Sequence, residues 1–177
     1  MLLKVFDRFY SLLKSIFFKI IYFNCSEFRC WDFSLSGLLV IIKGKIIAGK
    51  NMTARRGTIF NINGGILLIG DNVFFNNNCS VNCRERVSIG NFTIMGEGVK
   101  IYDHDHSILP NGAVARNSYK TAVVTIGNNV WIGSNVIILK GVEIGDNVVI
   151  SAGAVITKSI PKNVTVIQKR ESLYINR

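Results

Sequence analysis

Aliphatic residues recur every six positions in the C-terminal half of the chain. Isoleucine occupies positions 126, 132, 138, 144, 150 and 156, and valine or alanine follows four residues later in each of the first five repeats. The same register appears earlier, with interruptions near residues 64–65, 83–85 and 102–125. The earlier members of this register are Ile69, Phe75, Val81, Met95 and Ile101.

A six-residue period fits a short strand followed by a corner, with the first aliphatic side chain of each repeat pointing inward. Three such repeats close one triangular coil, and stacked coils lie roughly 4.8 Å apart. Each coil hydrogen-bonds to the coils above and below it and buries its aliphatic residues in a shared column. Glycine and asparagine between the strands tolerate the backbone angles that corners need. The pattern therefore predicts an all-β parallel β-helix over residues 37–161, with a loop insertion at 102–125.

The first 23 residues predict a separate element. Polar residues recur there every three or four positions, and the rest are mostly leucine, isoleucine and phenylalanine, which indicates an amphipathic helix. Charges interrupt the segment too often for a transmembrane span, and it resembles a signal peptide poorly. Two interpretations remain open: the helix binds an anionic membrane surface, or it docks its apolar face on the protein or a neighbouring subunit. We assign residues 1–36 to this helix and its linker, and 162–177 to a C-terminal tail.

Charge and composition narrow the classes of partner. The chain of 177 residues has a net charge of +10 and is 49% hydrophobic, which excludes a disordered chain. The excess of basic residues is concentrated in positions 1–60, where 10 basic and 3 acidic residues give 10 − 3 = +7. This charge favours an anionic partner. Because the sequence contains no nucleic-acid-binding motif, we expect the protein not to bind nucleic acid. The four cysteines lack zinc-site spacing and are expected to be buried thiols.

The repeat, with the run WIGSNVIILKGVEIGDNVVISAGAVITKSIP, resembles the hexapeptide-repeat acyltransferases, and the resemblance covers about residues 45–165. Within them the chain is most similar to the branch of maltose, galactoside and surface-polysaccharide O-acetyltransferases. The resemblance implies a left-handed β-helix, acetyl-coenzyme A as the donor, and a homotrimer. In such a homotrimer each active site lies between two subunits.

The insertion at 102–125 contains both histidines of the chain, in the run Asp103-His104-Asp105-His106. Acyl transfer to a hydroxyl group needs a general base, and histidine titrates in the right range. In an extended segment His104 and His106 share one face, so an adjacent aspartate and histidine need not pair. Related sugar acetyltransferases carry a V-x-I-Y-x-x-x-H segment that ends in the catalytic histidine, and this resemblance selects His106. Two histidines are too few for the three-histidine metal site of related carbonic anhydrases, so we expect no metal.

The resemblance also supplies candidates for the two substrate sites. The residues expected to bind coenzyme A are Trp131, Ser134, Ala152, Thr157 and Lys158. Those expected near the acceptor are Asn76, Asn78, Arg84, Asp103 and His104. Arg84 stands where relatives have an acidic residue, which favours an acceptor with a carboxylate or phosphate. The alternative is that the neighbouring Glu85 takes the acidic role. Asn76 and Asn78 could equally be corner residues of the coil.

These observations together predict an acetyl-coenzyme-A-dependent O-acetyltransferase that acts on a sugar hydroxyl in surface polysaccharide biosynthesis. Two alternatives stay open: N-acetylation of an amino sugar on a nucleotide or lipid carrier, and a non-catalytic membrane-associated β-helical scaffold. The expected location is the cytoplasm, with peripheral binding to the inner face of the cytoplasmic membrane left open by the N-terminal helix.

Overall fold

The computed structural model describes residues 2–169, with side chains from residue 9 onward. The chain forms one helix followed by nineteen short strands within this range. In chain order the elements are α1 (Leu2–Ile21), β1 (Ser26–Glu27), β2 (Phe33–Leu35), β3 (Leu38–Ala48), β4 (Met52–Ala54), β5 (Ile59–Ile69), β6 (Phe74–Phe75), β7 (Ser80–Cys83), β8 (Arg86–Ile89), β9 (Ile94–Met95), β10 (Lys100–Tyr102), β11 (His104–Ile108), β12 (Val114–Thr121), β13 (Val124–Ile126), β14 (Trp131–Ile132), β15 (Ile137–Ile138), β16 (Glu143–Ile144), β17 (Val149–Ile150), β18 (Val155–Ile156) and β19 (Thr165–Val166).

The strands stack in parallel on three faces of a triangular prism. Face 1 contains β2, β4, β6, β9, β14, β17 and β19. Face 2 contains the first halves of β3 and β5, then β7, β10, β15 and β18. Face 3 contains β1, the second halves of β3 and β5, then β8, β13 and β16. From β2 onward the chain visits the three faces in the same order in successive coils. The architecture matches the predicted left-handed parallel β-helix.

The predicted inward positions form the core of the prism. The isoleucines at 126, 132, 138, 144, 150 and 156 are buried, as are the earlier members of the register. Asparagine occupies many corners in the left-handed backbone region, with φ between 54° and 62°. Asparagine adopts this conformation with less backbone strain energy than most residues, because its short polar side chain can hydrogen-bond to the nearby backbone.

The irregular segments of successive coils all lie at one edge, the corner between faces 2 and 3, called here corner 2–3. β3 bends there near Gly44, β5 bends near Gly64-Gly65, and the next coil inserts residues between β7 and β8. The following coil inserts residues 103–123, which form the antiparallel hairpin of β11 and β12. The predicted loop is therefore mainly a β-hairpin, and it closes at the Pro110-Asn111-Gly112 turn.

The coil stack extends beyond both predicted boundaries. β1 pairs with β3 and β2 pairs with β4, so the stack begins before residue 37. β19 pairs with β17, so it also continues past residue 161. Both terminal coils depart from the six-residue spacing, which explains why periodicity alone missed them. Residues 170–177 of the predicted tail lie outside the described residues.

Helix α1 lies against the first coil, mainly against β2. Its docked side carries Ser11, Ser15 and Phe18, and Tyr22 packs on the core just after the helix. Most apolar residues of the helix between positions 9 and 21 face away from the coil. Docking was one of the two predicted interpretations, but the side that docks is not the predicted apolar face. No helix within residues 2–169 is long and apolar enough to cross a membrane.

Candidate active site

The hairpin of β11 and β12 brings both histidines together at corner 2–3. His106 lies opposite Tyr119 and His104 opposite Thr121 in the antiparallel register. The Tyr119 ring contacts both imidazoles, with centroid separations of 5.5 Å to His104 and 4.7 Å to His106. The Arg84 guanidinium lies 3.4 Å from the Tyr119 ring centroid, a cation–π contact. We call these four residues, Arg84, His104, His106 and Tyr119, the histidine cluster.

The hydrogen bond of His106 decides which of its nitrogens is available for chemistry. Nδ1 lies 3.0 Å from the carbonyl oxygen of Ala115 in the facing strand. A carbonyl oxygen only accepts hydrogen bonds, so Nδ1 carries the proton in this contact. With the proton on Nδ1, Nε2 keeps its lone pair, and the side chain is exposed. This is the arrangement that a general base requires.

His104 is held differently, by the carboxylate of its neighbour. Its Nδ1 lies 2.9 Å from Oδ1 of Asp103. The expectation that these adjacent residues need not pair is therefore wrong. The strand alternation does not prevent the contact, because Asp103 lies at the bend where the chain leaves β10 and enters the hairpin.

Asp103 is an internal anchor and not a residue open to the acceptor. Its side chain is 0% exposed. Its oxygens accept backbone hydrogen bonds from Arg84 at 2.9 Å and from Glu85 at 2.7 Å, in addition to the contact with His104. The prediction that Asp103 binds the acceptor is corrected on this geometry. The carboxylate joins the inserted segment of one coil, which carries Arg84, to His104 at the start of the next coil's hairpin.

Cys83 lies beside this anchor and stays protonated. Burial first, and then the neighbouring Asp103 carboxylate, raise the pKa of its thiol to about 12. Burial also raises the pKa of the Cys79 thiol. These two cysteines are buried thiols as predicted, and Cys25 and Cys30 are free and half-buried.

Two further contacts complete the site, and sequence reasoning missed both. Tyr119 links Arg84 to the histidines, and Lys140 of the next coil forms a 2.8 Å ion pair with Asp105. The Pro110-Asn111-Gly112 turn signal, read as the centre of a hairpin, would have placed Arg116 opposite His106. A register shift between His106 and Ile108 brings Tyr119 there instead, and the turn signal does not predict that shift. Among the described residues, no group of three or more histidine, cysteine, aspartate or glutamate side chains is placed to hold a metal ion.

Most of the residues predicted to bind coenzyme A lie at a different edge, the corner between faces 1 and 2, called here corner 1–2. Ser134 and Ala152 occupy this corner in successive coils, where a Cβ on Gly133 would lie 2.5 Å from the Ala152 nitrogen. Trp131 is on face 1 next to the corner, and its ring is exposed. The corner therefore presents a strip of small residues beside an open aromatic ring.

Asn76 and Asn78 also lie at corner 1–2, and both have corner roles. The Asn76 side-chain oxygen accepts a hydrogen bond from the Asn77 backbone at 2.9 Å, and a longer one from Arg55 at 3.3 Å. Asn78 adopts the left-handed conformation with φ of 60°. Their predicted role at the acceptor stays a prediction.

Thr157 and Lys158 lie at corner 2–3, two coils beyond β10, or about 10 Å along the stack. The structure thus gathers Arg84, His104 and His106 of the predicted residues, with Asp103 beneath them. Trp131, Ser134 and Ala152 are separated from this group by the width of face 2, roughly 15 Å at 3.3 Å per residue. One chain alone does not join the predicted donor strip to the histidine cluster.

Comparison with known proteins supplies the family. The family described as bacterial transferase hexapeptide, six repeats, matches residues 124–158. A protein of Escherichia coli strain K12 named as a lipopolysaccharide biosynthesis O-acetyl transferase, WbbJ, is 30% identical over 132 residues, covering 70% of this chain and 67% of that protein. The chain belongs to the hexapeptide-repeat transferases. Membership confirms the predicted enzyme class, an acyltransferase.

Other members of the hexapeptide-repeat transferases match a shorter part of their own length. Galactoside O-acetyltransferase of Escherichia coli K12 is 39% identical over 105 residues, covering 57% of this chain and 49% of that enzyme. The chain thus spans about two thirds of the first relative and about half of the second.

A solved structure shows the same fold. It is a variant of AntD, an N-acyltransferase from Bacillus cereus, in complex with dTDP-4-amino-4,6-dideoxyglucose and coenzyme A. Its TM-score is 0.65 at 19% identity, over 81% of this chain and 80% of that chain. At this identity the likeness concerns the fold alone.

Proposed function

We propose that this protein is an acetyl-coenzyme-A-dependent O-acetyltransferase that acetylates a sugar hydroxyl in surface polysaccharide biosynthesis. The observation that carries the proposal is the 3.0 Å contact between Nδ1 of His106 and the Ala115 carbonyl oxygen, made by an exposed side chain. A carbonyl oxygen only accepts, so this contact leaves Nε2 as the nitrogen with the lone pair. The names of the Escherichia coli relatives support an O-linked acetyl transfer and a saccharide acceptor.

The chemistry follows from that nitrogen. Nε2 of His106 removes the proton from the acceptor hydroxyl as the oxygen attacks the thioester carbonyl carbon. The tetrahedral intermediate collapses, the C–S bond breaks, and the imidazolium returns the proton to the leaving thiolate. The products are an O-acetyl ester and coenzyme A. Tyr119 packs against His106 and keeps the ring in this orientation.

The donor is proposed to bind along the small-residue strip of corner 1–2. Ser134 and the exposed Trp131 offer a hydrogen-bonding group and an aromatic surface, and Ala152 leaves room for a narrow pantetheine arm. Because this strip and the histidine cluster lie at different corners, we propose a homotrimer in which one subunit's strip faces a neighbour's His106. Closed three-fold symmetry would make three equal sites of this kind.

A second acceptor chemistry is N-acylation of an amino sugar linked to a nucleotide. The shared fold with AntD, which was solved with such a sugar nucleotide, and the position of Arg84 in the histidine cluster favour it. Among the described residues no carboxylate is ion-paired with Arg84, so its guanidinium charge is open to an acceptor phosphate.

The test is acetyl transfer from labelled acetyl-coenzyme A to a panel of neutral sugars, uronic acids and nucleotide-linked amino sugars. We expect His106→Ala to lower kcat by about 10²–10⁴-fold, the usual contribution of general base catalysis. Ser107→Ala, the next residue in the same strand, is the matched control and should keep near-normal turnover. Wild-type turnover in His106→Ala would reject the base, and transfer only to amino sugars would replace O-acetylation by N-acetylation.

A further inference from the structure

Helix α1 presents its apolar side to solvent and its polar side to the protein. Every exposed residue of the helix between positions 9 and 21 is aliphatic or aromatic. These residues are Phe9, Tyr10, Leu13, Ile16, Phe17, Ile20 and Ile21, which we call the outer stripe. A surface helix of a globular protein normally has the opposite orientation.

The coil stack explains why the polar side faces inward. β1 and β2 are the first strands of their sheets, so their outer edges have no strand partner. Backbone carbonyls at such an edge need hydrogen-bond donors. Helix α1 supplies them: Ser15 Oγ donates to the Phe33 carbonyl, Lys14 Nζ to that of Gly37 at 3.0 Å, and Lys19 Nζ to that of Ser26 at 2.6 Å.

This capping function commits the serines and lysines of the helix to the coil. Ser11 adds a 2.8 Å hydrogen bond to Ser34 between their hydroxyl oxygens. A helix rotated to bury its outer stripe would withdraw these donors. The edge carbonyls would then be buried without hydrogen-bond partners, which would destabilise the fold. The outward apolar stripe is therefore a consequence of how the β-helix end is closed, and it is fixed in place.

We propose that the outer stripe inserts into the surface of an anionic lipid bilayer. Two exposed aromatic residues follow the helix in the chain, Phe23 and Trp31, the latter 77% exposed. Phenylalanine and tryptophan favour the boundary between headgroups and acyl chains.

Charge selects an anionic bilayer over a second copy of the chain. Residues 1–60 have a net charge of +7, from 10 basic and 3 acidic residues. Two such regions facing each other would repel, whereas anionic headgroups attract basic residues near the surface. Arg29 lies two residues before Trp31, and its side chain stays 74% exposed although its Nε lies 3.5 Å from Oδ2 of Asp32. The prism would then stand with its first coil on the bilayer.

The test is flotation of the full-length protein with vesicles of phosphatidylcholine plus phosphatidylglycerol, and with vesicles of phosphatidylcholine alone. We expect binding to the anionic vesicles that weakens as salt is raised. Ile20→Asp should reduce the bound fraction by about tenfold or more, because it removes an inserted side chain and places a carboxylate in its position.

Ile167→Asp is the matched control, because Ile167 is 70% exposed and Ile20 is 69% exposed, and Ile167 follows the last strand of face 1. It should float as the wild type does. Circular dichroism and light scattering of each variant report fold and assembly. Absence of flotation with anionic vesicles, or equal loss in both variants, would overturn the proposal. So would a fall in molar mass for Ile20→Asp without any vesicle binding, which would assign the outer stripe to a second copy.

Discussion

Asp103 determines the geometry of the site although it does not face the substrate. Its carboxylate accepts hydrogen bonds from the backbone of Arg84 and Glu85 and from the His104 ring. Two successive backbone N–H groups converging on one carboxylate form a small anion-binding concavity. The aspartate therefore fixes both the segment that carries Arg84 and the start of the strand that carries His106.

We expect Asp103→Asn to destabilise the fold by about 1–3 kcal/mol, because its amide group would meet buried N–H donors and leave at least one unsatisfied. The measurement is urea unfolding, with kcat determined on the folded protein. Turnover should fall as well, since the hairpin loses its support.

Asp105→Asn is the control for this substitution. Asp105 is 57% exposed and pairs with Lys140 at the surface, so the change should alter stability by less than about 1 kcal/mol. Equal losses in the two variants would show that Asp103 has no special anchoring role.

At the residue scale, sequence reasoning identified the histidines and Arg84 but not what holds them. Residue type and position after the repeat break single out both histidines, and only the V-x-I-Y-x-x-x-H resemblance selects His106, whose catalytic role stays a prediction. The role of Asp103 was not predictable, because its partners Arg84 and Glu85 lie 19 and 18 residues away in the preceding coil. Only the stacking of coils brings that insertion beside it.

At the element scale, the hairpin of β11 and β12 and helix α1 show two limits of pattern reasoning. The six-residue register located the insertion but said nothing of its internal pairing, since an interrupted repeat contains no information about what interrupts it. The apolar periodicity of α1 predicted the helix correctly. It did not predict the docked side, because the determining factor was the unpaired carbonyls at the end of the coil stack.

Phe92 interrupts a column of asparagines at the corner between faces 3 and 1. Asn72 precedes it and Asn129 follows it in the stacked coils. Side-chain amide hydrogen bonds connect the column on both sides, at 3.1 Å from Asn51 to Asn72 and 2.9 Å from Asn129 to Asn147. Phe92 has φ of 57°, the left-handed region, and its ring is exposed.

We expect Phe92→Asn to stabilise the protein by about 0.5–1.5 kcal/mol, because asparagine tolerates the left-handed backbone and can rejoin the column. Thermal or urea unfolding measures the change. The reverse substitution, Asn129→Phe, should destabilise it at an equivalent corner. A loss of stability in Phe92→Asn would mean that the ring has a packing role that outweighs its backbone strain.

At the scale of the whole molecule, the two candidate half-sites lie at different corners of the prism. The histidine cluster is at corner 2–3, and the strip with Ser134 and Ala152 is at corner 1–2. Face 2 lies between these two corners. The coils cannot bend to bring the corners together, because each strand of face 2 is hydrogen-bonded to the coils on both sides. Because the β-helix is rigid, the proposed homotrimer would have to supply the missing half from a neighbouring subunit.

This arrangement predicts rescue between two inactive chains. His106→Ala lacks the base, and Ala152→Trp fills the strip at an exposed corner position. We expect homogeneous His106→Ala to keep only the turnover about 10²–10⁴-fold below wild type given above, and homogeneous Ala152→Trp to be similarly impaired. In trimers refolded from equal amounts of both chains, a site works only where an intact histidine meets an intact strip on the next subunit, so about a quarter of wild-type activity should return.

The fraction of mixed trimers is measured by mass spectrometry of the intact assembly. Activity that stays absent in proven mixed trimers would place the whole site within one chain, and activity in the Ala152→Trp protein alone would remove corner 1–2 from the donor site.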